Sequence, residues 1–144
     1  IAVFVAGVGT GGTISGVGEA LKEEIPEIQI IAVEPYSSPT LSGGVPGPHK
    51  IQGIGANFVP PLFRYDVADE IFKVRNEEAV ETSQDLARSE GLLAGFSSGA
   101  AVFAATQIAR RSQLKGRNVV VLLPDTGERY LSTELFNIGD RVVY

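Results

Sequence analysis

Residues 5–16, VAGVGTGGTISG, decide the fold, because their five glycines follow directly on the apolar run IAVFVA at residues 1–6. An apolar run of this kind predicts a buried strand. Glycines at the end of a strand permit a tight turn and a close approach of the backbone to another group. The segment from Gly12 to Ile25 repeats apolar residues every three or four positions, which predicts a helix that Pro26 ends. The apolar positions at this spacing are Ile14, Val17, Leu21 and Ile25.

Three further apolar runs predict strands, at residues 28–34, 69–74 and 118–124. Strands and helical segments alternate along the chain, which is typical of an open, mostly parallel, Rossmann-like α/β sheet with helices on both faces. Residues 35–61 are rich in Pro, Gly and Ser, and ordered connections of that length usually carry function. The chain of 144 residues has the size of a single domain, so we expect one domain over residues 1–144.

Two more helices are predicted in the second half of the chain. Asn76, which precedes two glutamates, is expected to cap a helix that Gly91 ends. Ser97 or Ser98 is expected to cap a helix that continues through GAAVFAATQIA at residues 99–109. That segment is apolar on nearly every side, which predicts a buried helix.

Composition argues against several classes of function. The net charge is −5 and only 12 residues are Lys or Arg, whereas a nucleic-acid binder needs clustered basic residues. An apolar run long enough for a membrane span and a basic-then-apolar leader are both absent from the sequence, so we expect a cytoplasmic protein. The chain has no cysteine and one histidine, His49, so we expect no disulfide and no metal site. It opens on Ile1 within a strand pattern and contains no methionine, so we expect a fragment.

The glycine turn has two functional interpretations and one structural one. Gly7, Gly9 and Gly12 have the GxGxxG spacing between a strand and a helix, and Glu34 ends the next strand, where an acid that binds ribose would lie. This pattern favours a dinucleotide such as NAD. A turn that only packs the helix on the strand is the structural alternative.

The second functional interpretation concentrates on GTGGT at residues 9–13. Two threonine hydroxyls, of Thr10 and Thr13, flank a run of free backbone amides at a helix N-terminus, which is a site for anions. A terminal phosphomonoester carries nearly two charges and three free oxygens, so it uses such amides and hydroxyls more fully than a dinucleotide linkage does. The two threonines favour the phosphomonoester.

Four motifs together resemble the cysteine synthase (O-acetylserine sulfhydrylase) family of fold-type-II pyridoxal-phosphate enzymes, over essentially all of the chain. They are GTGGT at 9–13, GPHKIQGIGANFVP at 47–60, EGLLAGFSSGAA at 90–101 and LPDTGERYLST at 123–133. The resemblance implies the larger-domain part of a homodimeric transferase with pyridoxal 5'-phosphate as cofactor. It further implies replacement of the acetoxy group of O-acetylserine by sulfide, which forms cysteine.

The resemblance also implies a role for individual residues. Ser97 would pair with the pyridine nitrogen, and Gly53 would bring its backbone close on the substrate side. Asp125 and Thr126 would lie near the groups that form hydrogen bonds with the pyridine nitrogen of the cofactor. The residues that would hold the cofactor phosphate are Gly9, Thr10, Gly11, Gly12 and Thr13. His49 and Lys50 are interpreted as surface or hinge residues, and Glu34 becomes a polar strand end.

The Schiff-base lysine of the family lies in an N-terminal segment, and none of the four lysines here matches its motif. The substrate-carboxylate loop of the family is also absent. We therefore expect roughly the C-terminal half of the enzyme, with no catalytic residue of its own and no activity alone. The four lysines are Lys22, Lys50, Lys73 and Lys115.

Three alternatives to this interpretation stay open. A cystathionine β-synthase-like or another β-replacing enzyme shares the phosphate loop and the serine. A nicotinamide-dependent oxidoreductase domain would bind NAD through the same glycine turn. A non-catalytic module would bind a partner, for which the family offers the C-terminal tail of serine acetyltransferase.

Overall fold

The computed structural model describes residues 1–138 and 141–142 of the chain. Its main sheet has four parallel strands in the order β3-β2-β1-β4. The strands are β1 (Val3–Gly7), β2 (Gln29–Pro35), β3 (Glu70–Val74) and β4 (Val119–Val121). All four predicted strands are therefore present. A small antiparallel pair, β5 (Asn137–Ile138) and β6 (Arg141–Val142), follows.

Helices cover both faces of the sheet, which confirms the predicted α/β class. The helix α1 (Gly12–Glu24) lies on one face, while α2 (Asn76–Glu90) and α3 (Phe96–Ala109) lie on the other. Alternate residues of β1 point to opposite faces, as strand geometry requires, so that Phe4 packs with Ile14 of α1 and Val5 packs in the core that contains α3. The prediction of one domain over 1–144 stays a prediction, because four residues lie outside the described part.

The apolar residues spaced along α1 do not all face the core. Ile14 is 1% exposed, but Val17 is 38% exposed and lies outside the core. The helix instead turns Gly18 inward, where a side chain would meet Val67 and Ile30. The spacing of Ile14, Val17, Leu21 and Ile25 thus predicts the helix correctly, while Gly18 takes the place against Val67 and Ile30.

α3 is buried, as its all-round apolar sequence predicts. A Cβ at Gly99 would lie 2.1 Å from the carbonyl oxygen of Ala79, so α2 and α3 touch backbone to backbone there. The predicted cap is wrong, because Gly95 occupies the N-cap position and Ser97 and Ser98 lie inside the first turn. Within the described residues, no side chain caps α3.

α2 begins one residue away from its predicted position. Its N-cap is Arg75, whose N–H donates to Glu78 Oε2 at 2.8 Å, and Asn76 is the first helical residue. The Asn76 side chain accepts a hydrogen bond from the backbone N–H of Lys50 at 3.0 Å. It therefore holds the connection between β2 and β3 instead of capping the helix. Gly91 ends α2 in the left-handed conformation with φ 68°, as predicted.

β4 is shorter than the apolar run 118–124, although the N–H of Leu122 still donates to the oxygen of Val5 at 3.1 Å. Between β2 and β3, residues 36–69 form a long connection without helix or strand in the described structure. Among the residues that the structure describes, no helix has both the length and the apolar character needed to span a bilayer.

Candidate functional site

The turn between β1 and α1 opens the N-terminus of α1 to a ligand. Gly11 is the N-cap and adopts a left-handed φ of 84°. The N–H of Gly12 lies 3.3 Å from Thr10 Oγ1, and the N–H of Ser15 makes the bond to Gly11 that begins the helical ladder. In this described segment, no acidic side chain lies in the first turn and no side chain caps the helix. The first-turn amides therefore present the positive end of the helix dipole to the adjacent cavity.

Glycine is required in this turn because two other segments press against it. A Cβ on Gly11 would lie 2.7 Å from the backbone nitrogen of Phe63. A Cβ on Gly9 would lie 2.5 Å from the carbonyl oxygen of Gly53. The turn is thus enclosed by two parts of the long connection, and its backbone is held close to both.

A cavity of about 500 Å³ adjoins the turn. Pockets for small ligands and cofactors have volumes of this order. Its walls come from the segments that follow β1, β2 and β4 and from the first turn of α3, which is the edge of a parallel sheet where ligands bind. The residues that line it are Gly7, Gly9, Thr10, Thr13, Gln52, Gly53, Ile54, Ser97, Leu122, Pro124, Asp125, Arg129 and Tyr130.

The cavity thus brings together six of the residues that the family resemblance assigns to the cofactor and substrate. They are Gly9, Thr10, Thr13, Gly53, Ser97 and Asp125. Gly11 and Gly12 shape the turn without lining the cavity, and the hydroxyl of Thr126 is bonded to Glu128 instead.

Ser97 lies on the wall formed by α3. The residue is 3% exposed, and its hydroxyl makes no hydrogen bond to another described residue. It occupies the second position of α3, near the positive end of that helix. Its Oγ lies 3.6 Å from where a Cβ of Gly53 would be. A buried hydroxyl in this setting is suited to pair with one polar atom of a ligand.

Asp125 joins the end of β4 to α3 and to the segment that follows. Its carboxylate accepts from the Tyr130 hydroxyl at 2.5 Å, and its backbone oxygen accepts from Ser98 at 3.3 Å. The hydrogen bond to Asp125, followed by burial, raises the pKa of the Tyr130 phenol above its ordinary value. Ser98 therefore packs the C-terminal segment on α3, which corrects its interpretation as a cap.

Several residues that line the cavity were not assigned to the site from the sequence. Gln52 and Ile54 flank Gly53 in the motif GPHKIQGIGANFVP and line the cavity with it. Their position next to Gly53 could have indicated that they belong to the site. Arg129 and Tyr130 belong to the motif LPDTGERYLST, and Tyr130 holds the C-terminal segment in place. Tyr130 does so through Asp125 and through an edge-to-face contact with Phe96 at 5.2 Å between ring centroids, but it also lines the cavity.

Glu34 is a buried residue instead of an open strand end. It is 1% exposed, and its carboxylate accepts from the N–H groups of Leu41 and Ser42 and from the Ser42 hydroxyl. These bonds occupy the group that would hold a ribose in a dinucleotide site. Glu34 instead fixes the start of the long connection.

No lysine lines the cavity in the described part of the chain. The side chain of Lys22, which lies on α1, forms an ion pair with Asp69 at 2.8 Å. Lys50 pairs with Glu134 at 3.0 Å, with both side chains at least half exposed.

The comparison with known proteins decides the family. A family model described as "pyridoxal-phosphate dependent enzyme" matches residues 1–125. The chain belongs to this family. A cysteine synthase of Staphylococcus aureus is 56% identical over 140 residues, which make up 97% of this chain and 45% of that relative.

Solved structures of the family have the same fold. Isoform 3 of O-acetyl serine sulfhydrylase from Entamoeba histolytica matches with a TM-score of 0.94 and 41% identity, over 97% of this chain and 42% of that one. An O-acetylserine dependent cystathionine β-synthase from Helicobacter pylori matches with a TM-score of 0.88 and 45% identity, over 94% of this chain and 44% of that one. The chain spans less than half the length of these relatives.

Proposed function

We propose that this chain is the C-terminal, cofactor-binding part of a cysteine synthase, with pyridoxal 5'-phosphate in the cavity beside α1. The reaction is replacement of the acetoxy group of O-acetylserine by sulfide. The observation that carries the proposal is that the threonine hydroxyls of GTGGT and the buried Ser97 hydroxyl line one cavity. Membership of a pyridoxal-phosphate dependent family supports it.

The donor set fits a phosphomonoester. The open first turn of α1 supplies N–H groups, and the hydroxyls of Thr10 and Thr13 supply further donors at the cavity wall. Gly9, Gly11 and Gly12 let the backbone approach the group, since side chains at the first two would collide with neighbouring segments. We assign residues 9–13 to the cofactor phosphate.

Ser97 is assigned to the pyridine nitrogen. Its hydroxyl is neutral and buried, and it lies at the positive end of α3. A carboxylate at this place would hold a proton on the nitrogen, whereas a hydroxyl donates its own hydrogen and leaves the ring uncharged. When bound, pyridoxal phosphate withdraws electrons from the substrate's α-carbon, and a neutral ring does so moderately, which suits β-replacement.

Gly53 is assigned to the substrate side of the cavity, where it leaves room that a side chain would fill. Asp125 is assigned to the surroundings of the ring nitrogen, through its place on the cavity wall beside Ser97. Thr126 is assigned to the same surroundings, and its hydroxyl pairs with Glu128. His49 and Lys50 do not line the cavity.

A titration of the 144-residue chain with pyridoxal phosphate, pyridoxal and NAD tests the proposal. We expect binding of pyridoxal phosphate, much weaker binding of pyridoxal and none of NAD. Thr10→Val and Thr13→Val should each weaken binding about tenfold, the value of one charge-assisted hydrogen bond, and Ser97→Ala, which loses a bond between neutral groups, should weaken it less. Thr106→Val on the exposed side of α3 is the matched control and should bind like the wild type. Preferential binding of NAD would overturn the proposal.

We further propose that the chain alone does not make cysteine, since none of its lysines lines the cavity in the described structure. The measurement mixes the chain with pyridoxal phosphate, O-acetylserine and sulfide and follows cysteine. A rate above that of the free cofactor would contradict this.

A second candidate function is binding of a partner's tail. An apolar groove of about 480 Å³ adjoins the cavity and is lined by Gly9, Thr10, Gly53, Ile54, Ala56, Phe58, Pro60 and Pro61. We propose that it accepts the C-terminal tail of serine acetyltransferase, which the family resemblance implies. A peptide ending in isoleucine should be retained by the immobilised chain, and Phe58→Ser should reduce that retention. Equal retention of a peptide ending in aspartate would contradict it.

The location is expected from the sequence, and the oligomeric state is implied by the family resemblance. We propose a cytoplasmic protein that acts within a homodimer. Sedimentation of the natural protein tests the dimer, and cell fractionation tests the location. A monomer, or recovery outside the cytoplasm, would contradict the respective part.

A further inference from the structure

The ring of His49 joins two backbone groups that flank Gly53. The N–H of Ile51 donates to Nδ1 at 3.1 Å, and Nε2 lies 2.9 Å from the carbonyl oxygen of Gly55. Because an amide N–H can only donate, Nδ1 is the acceptor, and the ring proton must be on Nε2, which donates to Gly55. The neutral ring therefore bridges the two ends of a turn, residues 51–55.

This turn depends on support from outside itself. Gly53 and Gly55 have left-handed φ values of 95° and 67°, and the turn belongs to neither a helix nor a strand. Ile51 is fully buried and anchors one end. At the other end, the N–H of Gly55 donates to the oxygen of Val8 at 3.2 Å. The His49 ring connects these two anchors directly.

His49 is itself held in place. A Cβ at Gly55 would lie 2.6 Å from His49 Nε2 and 2.6 Å from Cγ of Pro35, so the ring packs on Gly55 beside the end of β2. The preceding loop is tied down at Gly47, whose N–H donates to the Ser38 hydroxyl at 3.3 Å. The ring thus has one defined position and acts as a fixed link.

The bridged turn touches both parts of the proposed cofactor site. The carbonyl oxygen of Gly53 packs against Gly9 in the phosphate loop. The Cα of Gly53 faces the hydroxyl of Ser97. A displacement of the turn would therefore change the cavity at the phosphate end and at the ring-nitrogen end together.

We infer that His49 is a positioning residue that holds the 51–55 turn against the phosphate loop and Ser97, and thereby sets the shape of the cofactor cavity. The inference rests on the proposed function, since it concerns the same cavity. His49 acts through the turn and does not itself line the cavity.

Four variants of the 144-residue chain test this role. His49→Ala removes both bonds. His49→Asn places an amide oxygen near the position of Nδ1 and restores the acceptor for Ile51, while His49→Gln restores a donor near the position of Nε2. Lys50→Ala is the control, because it removes only an exposed ion pair in the same loop.

Two readouts at pH 8 report on the bridge without cofactor. The ¹⁵N spectrum of the imidazole should show the Nε2–H tautomer. Hydrogen exchange at the Ile51 amide should accelerate about tenfold or more in His49→Ala, less in His49→Asn, and not in Lys50→Ala. An Nδ1–H tautomer, or equal Ile51 exchange in wild type and His49→Ala, would overturn the inference.

Pyridoxal-phosphate affinity reports on the consequence for the site. We expect the dissociation constant to rise about tenfold in His49→Ala, with partial rescue in His49→Asn and His49→Gln. Unchanged affinity in His49→Ala, with wild type and Lys50→Ala binding normally, would overturn the inference and leave the proposed function standing. A wild-type chain that binds no pyridoxal phosphate would overturn the proposed function, and the positioning role would fall with it.

Discussion

The carbonyl oxygen of Gly53 occupies the space into which a side chain at Gly9 would project, 2.5 Å from the position of a Cβ there. The two residues lie in different connections, one after β1 and one after β2. Their contact is backbone to backbone, so neither can retreat by a change of rotamer. The phosphate loop and the substrate-side turn are thus fitted to each other as one unit.

Gly9→Ala should therefore disturb both the phosphate loop and the substrate-side turn. We expect the free energy of unfolding to fall by about 1–3 kcal/mol, as for other overpacked positions, and pyridoxal-phosphate binding to weaken. Gly12→Ala is the matched control, since its Cβ would have only ordinary contacts at 3.5 and 3.8 Å. Urea unfolding of both variants checks this; an equal loss of stability in both would contradict the contact.

Gly11→Ala should destabilise the chain for a different reason. Its φ of 84° is left-handed, which costs an L-residue about 1–2 kcal/mol, and the methyl group would also meet the backbone of Phe63. Gly16→Ala, within the same helix and with open space around it, should instead stabilise by about 0.5–1 kcal/mol. Thermal unfolding should move the two midpoints in opposite directions. A stabilised Gly11→Ala variant would contradict the described turn.

Glu34→Ala should lower the free energy of unfolding by about 1–3 kcal/mol, because it leaves the buried N–H of Leu41 without its acceptor. Glu34→Gln keeps one acceptor oxygen and should lose less. Glu27→Ala on the surface should stay within about 0.5 kcal/mol of wild type. Denaturant titration of the three variants ranks them, and a Glu34→Ala variant as stable as Glu27→Ala would refute the burial argument.

The Tyr130–Asp125 hydrogen bond predicts a stability that depends on alkaline pH. The pKa of the Tyr130 phenol is raised in the folded chain, so its contribution is complete below the unfolded value of about 10 and is lost as pH rises through the folded pKa. Tyr130→Phe should thus be about 1–2 kcal/mol less stable than wild type at pH 7 and approach it at higher pH. Tyr36→Phe, at an exposed tyrosine, is the control. A difference that is constant from pH 7 to 11 would contradict the assignment.

The sequence predicts the sheet well because its strands read as short apolar runs between turn residues, and β1 and β2 are buried on both faces. The glycine spacing likewise locates the turn between β1 and α1, since few other residues tolerate such a turn. Helix starts are less predictable. Serine is a favoured cap, yet Gly95 caps α3 because Asp125 and Tyr130 pack where its side chain would be.

The long connection after β2 is where prediction from sequence ends. Its path depends on single polar contacts within and beside the connection, such as Glu34 with Leu41 and His49 with Gly55, and these leave no periodic pattern. The motif resemblance supplies the approximate position of Gly53 but not the bridge that holds it. Gly18 shows the same limit within a helix, because Val67, which packs against it, comes from this connection.

The walls of the cavity are drawn from positions that extend from Gly7 to Tyr130, nearly the full span of the described chain. Native contacts of such large sequence separation close late and slowly during folding, after the parallel strands have paired. A nascent or partly assembled sheet would thus hold the phosphate loop without its opposite wall. Acquisition of ligand affinity would then mark completion of the entire sheet, and its time course would follow global refolding instead of the formation of any one helix.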